Sequence, residues 1–249
     1  PPPPPPPPPI FFFHAQHAFA DSVASRGLGD VYKSQGSILI LPTETTDILK
    51  YVLLLPLAYF LGSIPWGYLF LQWSHGIDIR NHGSGKTGMS NVLRTGGRKV
   101  AALVLILDIS KGILIVLLAR DVLGTTAAEI VSGLLALIGH NWPIFLKFRG
   151  GRGIATGLGG LSIMAPIAAL CAAAAFIPVT LVSKYVSLGS IVGVLTACLT
   201  LVGLTLLGIY SADYSWYSLI AGSIIIWQHR DNIRRIWDGT ERRLGKSAL

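Results

Sequence analysis

Residues 186–207 read VSLGSIVGVLTACLTLVGLTLL, with no charged side chain anywhere in the stretch. A helix needs roughly 20 predominantly apolar residues to cross the hydrocarbon core of a bilayer, so this tract is long enough to span. Apolar tracts of the same character lie at residues 51–60, 101–109, 113–119 and 218–227. The whole chain of 249 residues agrees: 51% are hydrophobic and 13% charged, against about 25% charged in soluble domains. The mean hydropathy is +0.59. These features predict an all-α integral membrane protein.

Working outward, spans are expected over residues 48–73, 99–120, 127–146, 186–207 and 214–228. Residues 153–183 are too long for one span and contain Pro166 and Pro178. Basic residues decide how they run. Arg80, Lys86, Arg94 and Arg98 share one loop; Lys147, Arg149 and Arg152 share another; Arg230, Arg234, Arg235, Arg242, Arg243 and Lys246 fill the tail. Residues 124–126 and 211–215 carry no cation. By the positive-inside rule the basic group is cytoplasmic. If Lys184 is cytoplasmic too, residues 153–183 go out and back as two short helices broken near Pro166. The expectation is therefore a compact bundle of about seven transmembrane helices, some short or broken, with cytoplasmic glycine/arginine loops, an outer amino terminus and an inner carboxyl terminus. Five spans plus a re-entrant segment is the alternative.

Residues 1–46 open on nine prolines and read as a disordered or artefactual amino-terminal segment; residues 47–249 form the membrane domain. The net charge of +8 does not signal nucleic acid, because the cations sit in short clusters between apolar tracts. Cys171 and Cys198 lie within apolar stretches and read as small buried hydrophobes. The six histidines form no set with metal-ligand spacing, so neither metal nor cofactor is expected.

Polar residues out of place near a membrane fall on one predicted side. The loop Gly83-Ser84-Gly85-Lys86-Thr87-Gly88 precedes Asn91 and Arg94. A nucleotide P-loop would need glycine five residues before Gly85, after a strand; Arg80 stands there. A glycine-rich loop with Ser84, Lys86, Asn91 and Arg94 suits anion binding more generally. Gly150-Gly151-Arg152-Gly153 opens an apolar helix, where backbone amides, a guanidinium and the helix dipole can meet one anion. His140, taken alone, reads as a structural histidine at a helix end. Lys184 and Ser187 join the phosphate-binding candidates, although a boundary lysine also snorkels. His229 and Asn232, three apart on a helix, can address a substrate hydroxyl. Asp108 and Lys111, also three apart, lie inside a span, where a charge costs several kcal/mol unless paired; mutual neutralisation comes first and support of an active site second.

These motifs, in this order, resemble the acyl-phosphate:glycerol-3-phosphate acyltransferase family, the PlsY type of bacterial membrane enzyme. The marks are Leu61-Gly62-Ser63-Ile64-Pro65-Trp66-Gly67, Asn91-Val92-Leu93-Arg94-Thr95-Gly96-Gly97, Leu107-Asp108-Ile109-Ser110-Lys111-Gly112, Gly139-His140 with Gly150-Gly151-Arg152-Gly153, residues 184–190, and His229-Arg230-Asp231-Asn232-Ile233. The likeness covers roughly residues 50–245. It implies a seven-helix enzyme of the bacterial plasma membrane, active on the cytoplasmic side, with no metal and no obligate protein partner. It further implies acyl transfer from acyl phosphate to the first hydroxyl of glycerol 3-phosphate, giving lysophosphatidic acid and phosphate. Ser84 and Arg94 match functional residues of the family's first loop, and His229 and Asn232 its late polar pair. Arg152 stands where the family usually has lysine, and Lys86 where it more often has asparagine.

For such chemistry, residues 150–153 would hold one phosphate, Ser84, Lys86 and Arg94 the other, and His229 and Asn232 the glycerol hydroxyls. Ser84 as a covalent nucleophile is the rival route. Acyl-CoA-dependent acyltransferases typically carry aspartate five positions after a histidine, and none of the six histidines has it. A transporter or channel for anionic solutes is the alternative from another class. It predicts ionisable residues on both sides of the midplane, whereas here they cluster on one side.

Overall fold

The structure, a computed structural model, describes residues 45–245. Apart from Thr45 and Thr46, the expected amino-terminal segment lies outside the described residues, as does Lys246. Ten α-helices are described: α1 Thr45–Ser63, α2 Trp66–His75, α3 Met89–Thr95, α4 Gly97–Leu123, α5 Thr126–Asn141, α6 Ile154–Met164, α7 Pro166–Ser183, α8 Val186–Leu206, α9 Tyr214–Gln228 and α10 Arg230–Trp237. No strand occurs among the described residues.

Local chemistry sets most boundaries. Gly124 takes the left-handed conformation (φ 63°) and ends α4, its N–H donating to the Ala119 and Arg120 carbonyls. The Thr125 hydroxyl then caps α5 by accepting from the Ala128 amide at 3.2 Å. Pro166 begins α7, where its missing N–H is no loss. The expected span over residues 48–73 is bent: its helix breaks at Ile64 and Pro65, and α1 and α2 bend by 40°. Proline has no N–H for the helix and disfavours helical geometry in the residue before it. The helices α4, α7, α8 and the stretch Thr126–Leu146 are long and apolar enough to cross a membrane, and the bent α1–α2 pair makes a fifth candidate. Of the remaining apolar helices, α6 has 11 residues and α9 has 15.

The bundle is built inside out relative to a soluble protein. Leu170, Val182, Leu199 and Leu206 are 70–84% exposed, as side chains meeting lipid tails would be. The buried faces are lined instead by small residues such as Ala58, Ala136, Ala165 and Ala168. Lipid is as apolar as leucine, so helix association in a bilayer depends on close packing of small residues. Two reciprocal glycine contacts carry this furthest. A Cβ on Gly62 would overlap the Ala136 carbonyl, and one on Gly139 the Tyr59 carbonyl, so α1 and α5 touch backbone to backbone. Gly112 and Gly159 do the same for α4 and α6. Gly189 and Gly193 rest against Phe176 and Ala172 of α7.

One end of the bundle is tied by ions. Arg120 of α4 forms a two-pronged bond with Glu129 of α5, both arms at 2.8 Å, and also reaches the Ile163 carbonyl at the end of α6. Tyr214 of α9 donates to the same glutamate at 2.9 Å. Three helices thus meet on one carboxylate, and Arg120 ties in a fourth, α6. Glu129→Leu is expected to lower stability by about 1–3 kcal/mol, read as the thermal unfolding midpoint in detergent. Turnover measured below that midpoint should be unchanged.

Candidate active site

At the opposite end converge the start of α4, the ends of α1, α5, α7 and α9, and the starts of α6 and α8. The first loop is braced from within by Asn91, which is fully buried. Its Nδ2 donates to the carbonyls of Lys86 at 2.9 Å and His82 at 3.0 Å, while its Oδ1 accepts from the Ser84 amide at 3.0 Å. The expected phosphate contact is therefore corrected: Asn91 shapes the loop and is not offered to a ligand. Ser84 emerges from that brace with a buried hydroxyl that has no hydrogen-bond partner among the described residues.

The glycine loop is corrected as well. The amides of Gly150 and Gly151 donate to the Asn141 and His140 carbonyls at 3.2 and 3.0 Å, so they fasten the loop to α5. The amides of Arg152 and Gly153, at the start of α6, have no such backbone partner among the described residues. Gly153 is the N-cap of α6 at φ +85°, a left-handed backbone that strains any other residue, and a Cβ there would overlap Leu137.

Around these loops lie two connected spaces. A small polar pocket is lined by Ser84, Arg94, Arg152, Ser187, Asn232 and Arg242, with His229 and Glu241 completing it. Beside it a cavity of about 360 Å³ runs into the bundle. Its walls include Leu158, Leu161, Phe176, Val194 and Ile225, and its polar residues include Lys86, Asp108, His140, Arg152 and His229. Arg152 and His229 face both spaces. Lys86, expected beside Ser84 and Arg94, lines the apolar cavity and not the polar pocket. Lys184 lines neither: it is exposed, in the left-handed conformation that ends α7, and its carbonyl accepts from the Leu244 amide.

Glu241, which no sequence signal singled out, organises the polar pocket. Its carboxylate accepts from Asn232 Nδ2 at 2.8 Å, Ser187 Oγ at 2.9 Å and Arg235 Nε at 2.8 Å. Burial opposes its ionisation, but the bonds from Asn232, Ser187 and Arg235 outweigh this and hold its carboxyl below the usual range. Asn232 keeps a buried Oδ1 without a partner. Arg242 extends the tail to the first loop, donating to the Gly83 carbonyl at 3.2 Å, and Arg94 donates to the Ser90 carbonyl at 3.0 Å.

The charges are unbalanced in one direction. Burial, then the field of Arg235, lowers Arg152 to about 10. Burial, then Arg242, lowers Arg94, and burial, then Arg152, lowers Lys86. Crowded cations of this kind are relieved by an anion. His229 answers to the same field: burial, then Arg152, lowers it to about 4. Its Nδ1 lies 2.8 Å from the Ile225 carbonyl. A carbonyl only accepts, so Nδ1 carries the proton and the neutral ring keeps its lone pair on Nε2. Among the described residues no group of three His, Cys, Asp or Glu could hold a metal ion.

A helical bundle with exposed leucines, and an apolar cavity bordered by Lys86 and Arg152, has the form of an integral membrane protein with a basic candidate site at one end. The model of the family described as glycerol-3-phosphate acyltransferase matches residues 52–239. A relative named glycerol-3-phosphate acyltransferase 3, from Dehalococcoides mccartyi (strain CBDB1), is 45% identical over 213 residues, covering 81% of this chain and 99% of that one. The glycerol-3-phosphate acyltransferase of Thermoanaerobacter sp. (strain X514) is also 45% identical, over 77% of this chain and 94% of its own. Among solved structures, the crystal structure of PlsY (YgiH), an integral membrane glycerol 3-phosphate acyltransferase, in its glycerol 3-phosphate form aligns with a TM-score of 0.72 at 36% identity. That alignment covers 78% of this chain and 95% of that one. The chain belongs to the glycerol-3-phosphate acyltransferase family. It is a multi-pass membrane acyltransferase, not a transporter.

Since the working ring is neutral, activity that depends on His229 should hold as pH falls through 6.5, the ordinary histidine value, and decline only toward about 4. Stability follows the same sign. Below 6.5 the unfolded chain takes up a proton that the folded site refuses, so this contribution shrinks as pH falls to about 4. The pH profile of kcat/KM, with the unfolding midpoint recorded alongside, checks both. Gly151→Ala, whose Cβ would overlap the His140 ring, should displace the loop and lower turnover by at least about a hundredfold, measured at saturating substrate.

Proposed function

We propose that residues 47–249 form a catalytic domain that transfers a fatty acyl group from acyl phosphate to the first hydroxyl of glycerol 3-phosphate. The observation that carries this reading is the pairing of one apolar cavity with a neighbouring polar pocket, each bordered by cationic side chains. The acyl chain lies in the cavity, and its phosphate sits at the mouth with Lys86, Arg152 and the amides that open α6. Glycerol 3-phosphate occupies the polar pocket, its phosphate against Arg94, Arg242 and the Ser84 hydroxyl. Ser187 and Asn232, both held by Glu241, face the same pocket.

The chemistry then needs little besides placement. Two anions that repel in water are brought together by guanidinium groups, and good orientation alone can supply about 7–11 kcal/mol. The His229 Nε2 lone pair accepts a hydrogen bond from the attacking hydroxyl, and Asn232 Oδ1 addresses its neighbour. The hydroxyl oxygen bonds to the acyl carbon, the bond from that carbon to the phosphate oxygen breaks, and the hydroxyl proton passes to a phosphate oxygen. His229, depressed to about 4, is too weak a base to keep that proton, so it orients and the phosphate accepts.

The basic loops support a cytoplasmic active site by the positive-inside rule, with the amino terminus outside and the carboxyl terminus inside. The site needs no cofactor and no protein partner.

Purified protein given palmitoyl phosphate and labelled glycerol 3-phosphate should yield labelled lysophosphatidic acid and one phosphate per turnover. Product from palmitoyl-CoA but not from palmitoyl phosphate would overturn the choice of donor. Arg94→Ala should insert normally and lose turnover by about a hundredfold or more; full activity in that variant would remove Arg94 from the site. A trapped acyl-Ser84 would replace direct transfer by a covalent route.

A further inference from the structure

Behind the glycine loop, and outside the machinery just described, lies a second polar cluster. The Lys111 ammonium, 3% exposed, sits 2.9 Å from Asp108 Oδ1. It also donates to the Gly62 carbonyl at 2.9 Å and the Ile64 carbonyl at 3.2 Å, and lies 2.9 Å from His140 Nδ1. An ammonium has donors only, so Nδ1 must present its lone pair and the ring proton must sit on Nε2. The opposite arrangement, with Nδ1–H donating to Asp108, would have to work across 3.5 Å, too long for a good bond, and would set a proton against the ammonium.

The Nε2 edge of His140 is turned toward the loop that is expected to hold a phosphate. A Cβ on Gly151 would overlap Nε2 first, before any other ring atom. The Gly151 amide in turn donates to the His140 carbonyl at 3.0 Å, so ring and loop move together. His140 shares the cavity wall with Lys86 and Arg152, and among the described residues no group accepts from Nε2.

We propose that Lys111 is a positioning residue that locks His140 in its Nε2–H form, and that this N–H is a further hydrogen-bond donor to the phosphate of the acyl donor. A neutral donor aimed at a departing phosphate gains strength as that phosphate gains charge, so the contact acts on kcat more than on binding. The phosphate half of the proposal rests on the acyl-phosphate reading above; the tautomer half does not.

The full chain, labelled with ¹⁵N-histidine and reconstituted in nanodiscs, tests the two halves separately. In substrate-free protein the His140 signal, assigned by its loss in His140→Gln, should show a bare Nδ1 and a protonated Nε2. In Lys111→Met that pattern should be lost. A protonated Nδ1 in the wild type overturns the proposal. Kinetics address the donor role with whichever acyl donor the wild type turns over. His140→Gln, whose amide nitrogen reaches the place of Nε2, should keep kcat within about tenfold; His140→Asn, whose amide reaches only the place of Nδ1, should lose about a hundredfold. KM for glycerol 3-phosphate should stay the same in both. Equal losses in both, or full activity in His140→Asn, overturn the donor role. An inactive wild type with palmitoyl phosphate would fault the choice of donor and leave the tautomer result to stand or fall by itself.

Discussion

The Lys111 ammonium ends up inside a bundle of membrane helices with almost no access to water, and three segments of chain finish on it. Two carbonyls from the broken end of α1 point at it, the carboxylate of Asp108 lies one helical turn away on α4, and His140 meets it from the end of α5. A buried cation is costly unless every donor is satisfied. Here two of the partners are carbonyls at a helix end, which lack the amide that a continuing helix would supply four residues on. The break at Pro65 frees those carbonyls and the lysine fills them, so the defect in α1 and the charge in α4 stabilise each other.

That joint matters because of what hangs from it. The chain leaves α1 through Pro65 into α2, where Gly67 lies so close to Thr87 that a Cβ would overlap its carbonyl; the first loop is thereby fixed relative to the break. On the other side the end of α5 carries the glycine loop, the Gly150 amide donating to the Asn141 carbonyl and the Gly151 amide to that of His140. Two loops far apart in sequence thus share one anchor, and the spacing between Ser84 and Arg152 is set by a lysine that touches neither. At the far end of the bundle, Arg120, Glu129 and Tyr214 hold four helices without approaching the site. Stability and chemistry are divided between the two ends, and the apolar cavity runs between them.

Much of the site was legible before the structure, because its chemistry depends on residue types that are rare beside a membrane. Arg94, Arg152, His229, Asn232 and Ser84 stood out for that reason, and all five line the polar pocket. Asn91 stood out equally and proves to be an internal brace. A buried asparagine amide and a ligand-binding one look alike in sequence, and only the backbone groups bonded to it distinguish them. Lys184, equally basic, lines neither space. Glu241 went unseen because an acidic residue in an arginine-rich tail has nothing unusual about it until Ser187 and Asn232 are found on its oxygens.

By itself the sequence determined that this chain spans a membrane, which segments are helical and which end gathers the cations, since hydropathy, proline and charge act locally and leave their mark on composition. The ordered motifs determined the family. Tertiary structure alone decided that the stretch over residues 48–73 is broken at Pro65, that Gly150 and Gly151 give their amides to α5, that Lys86 faces the apolar cavity, and that Lys111 sits on the nitrogen that orients His140. Each of these depends on which groups from distant segments meet in space. A hydrogen bond between residues far apart in the chain has no period and no local composition to announce it.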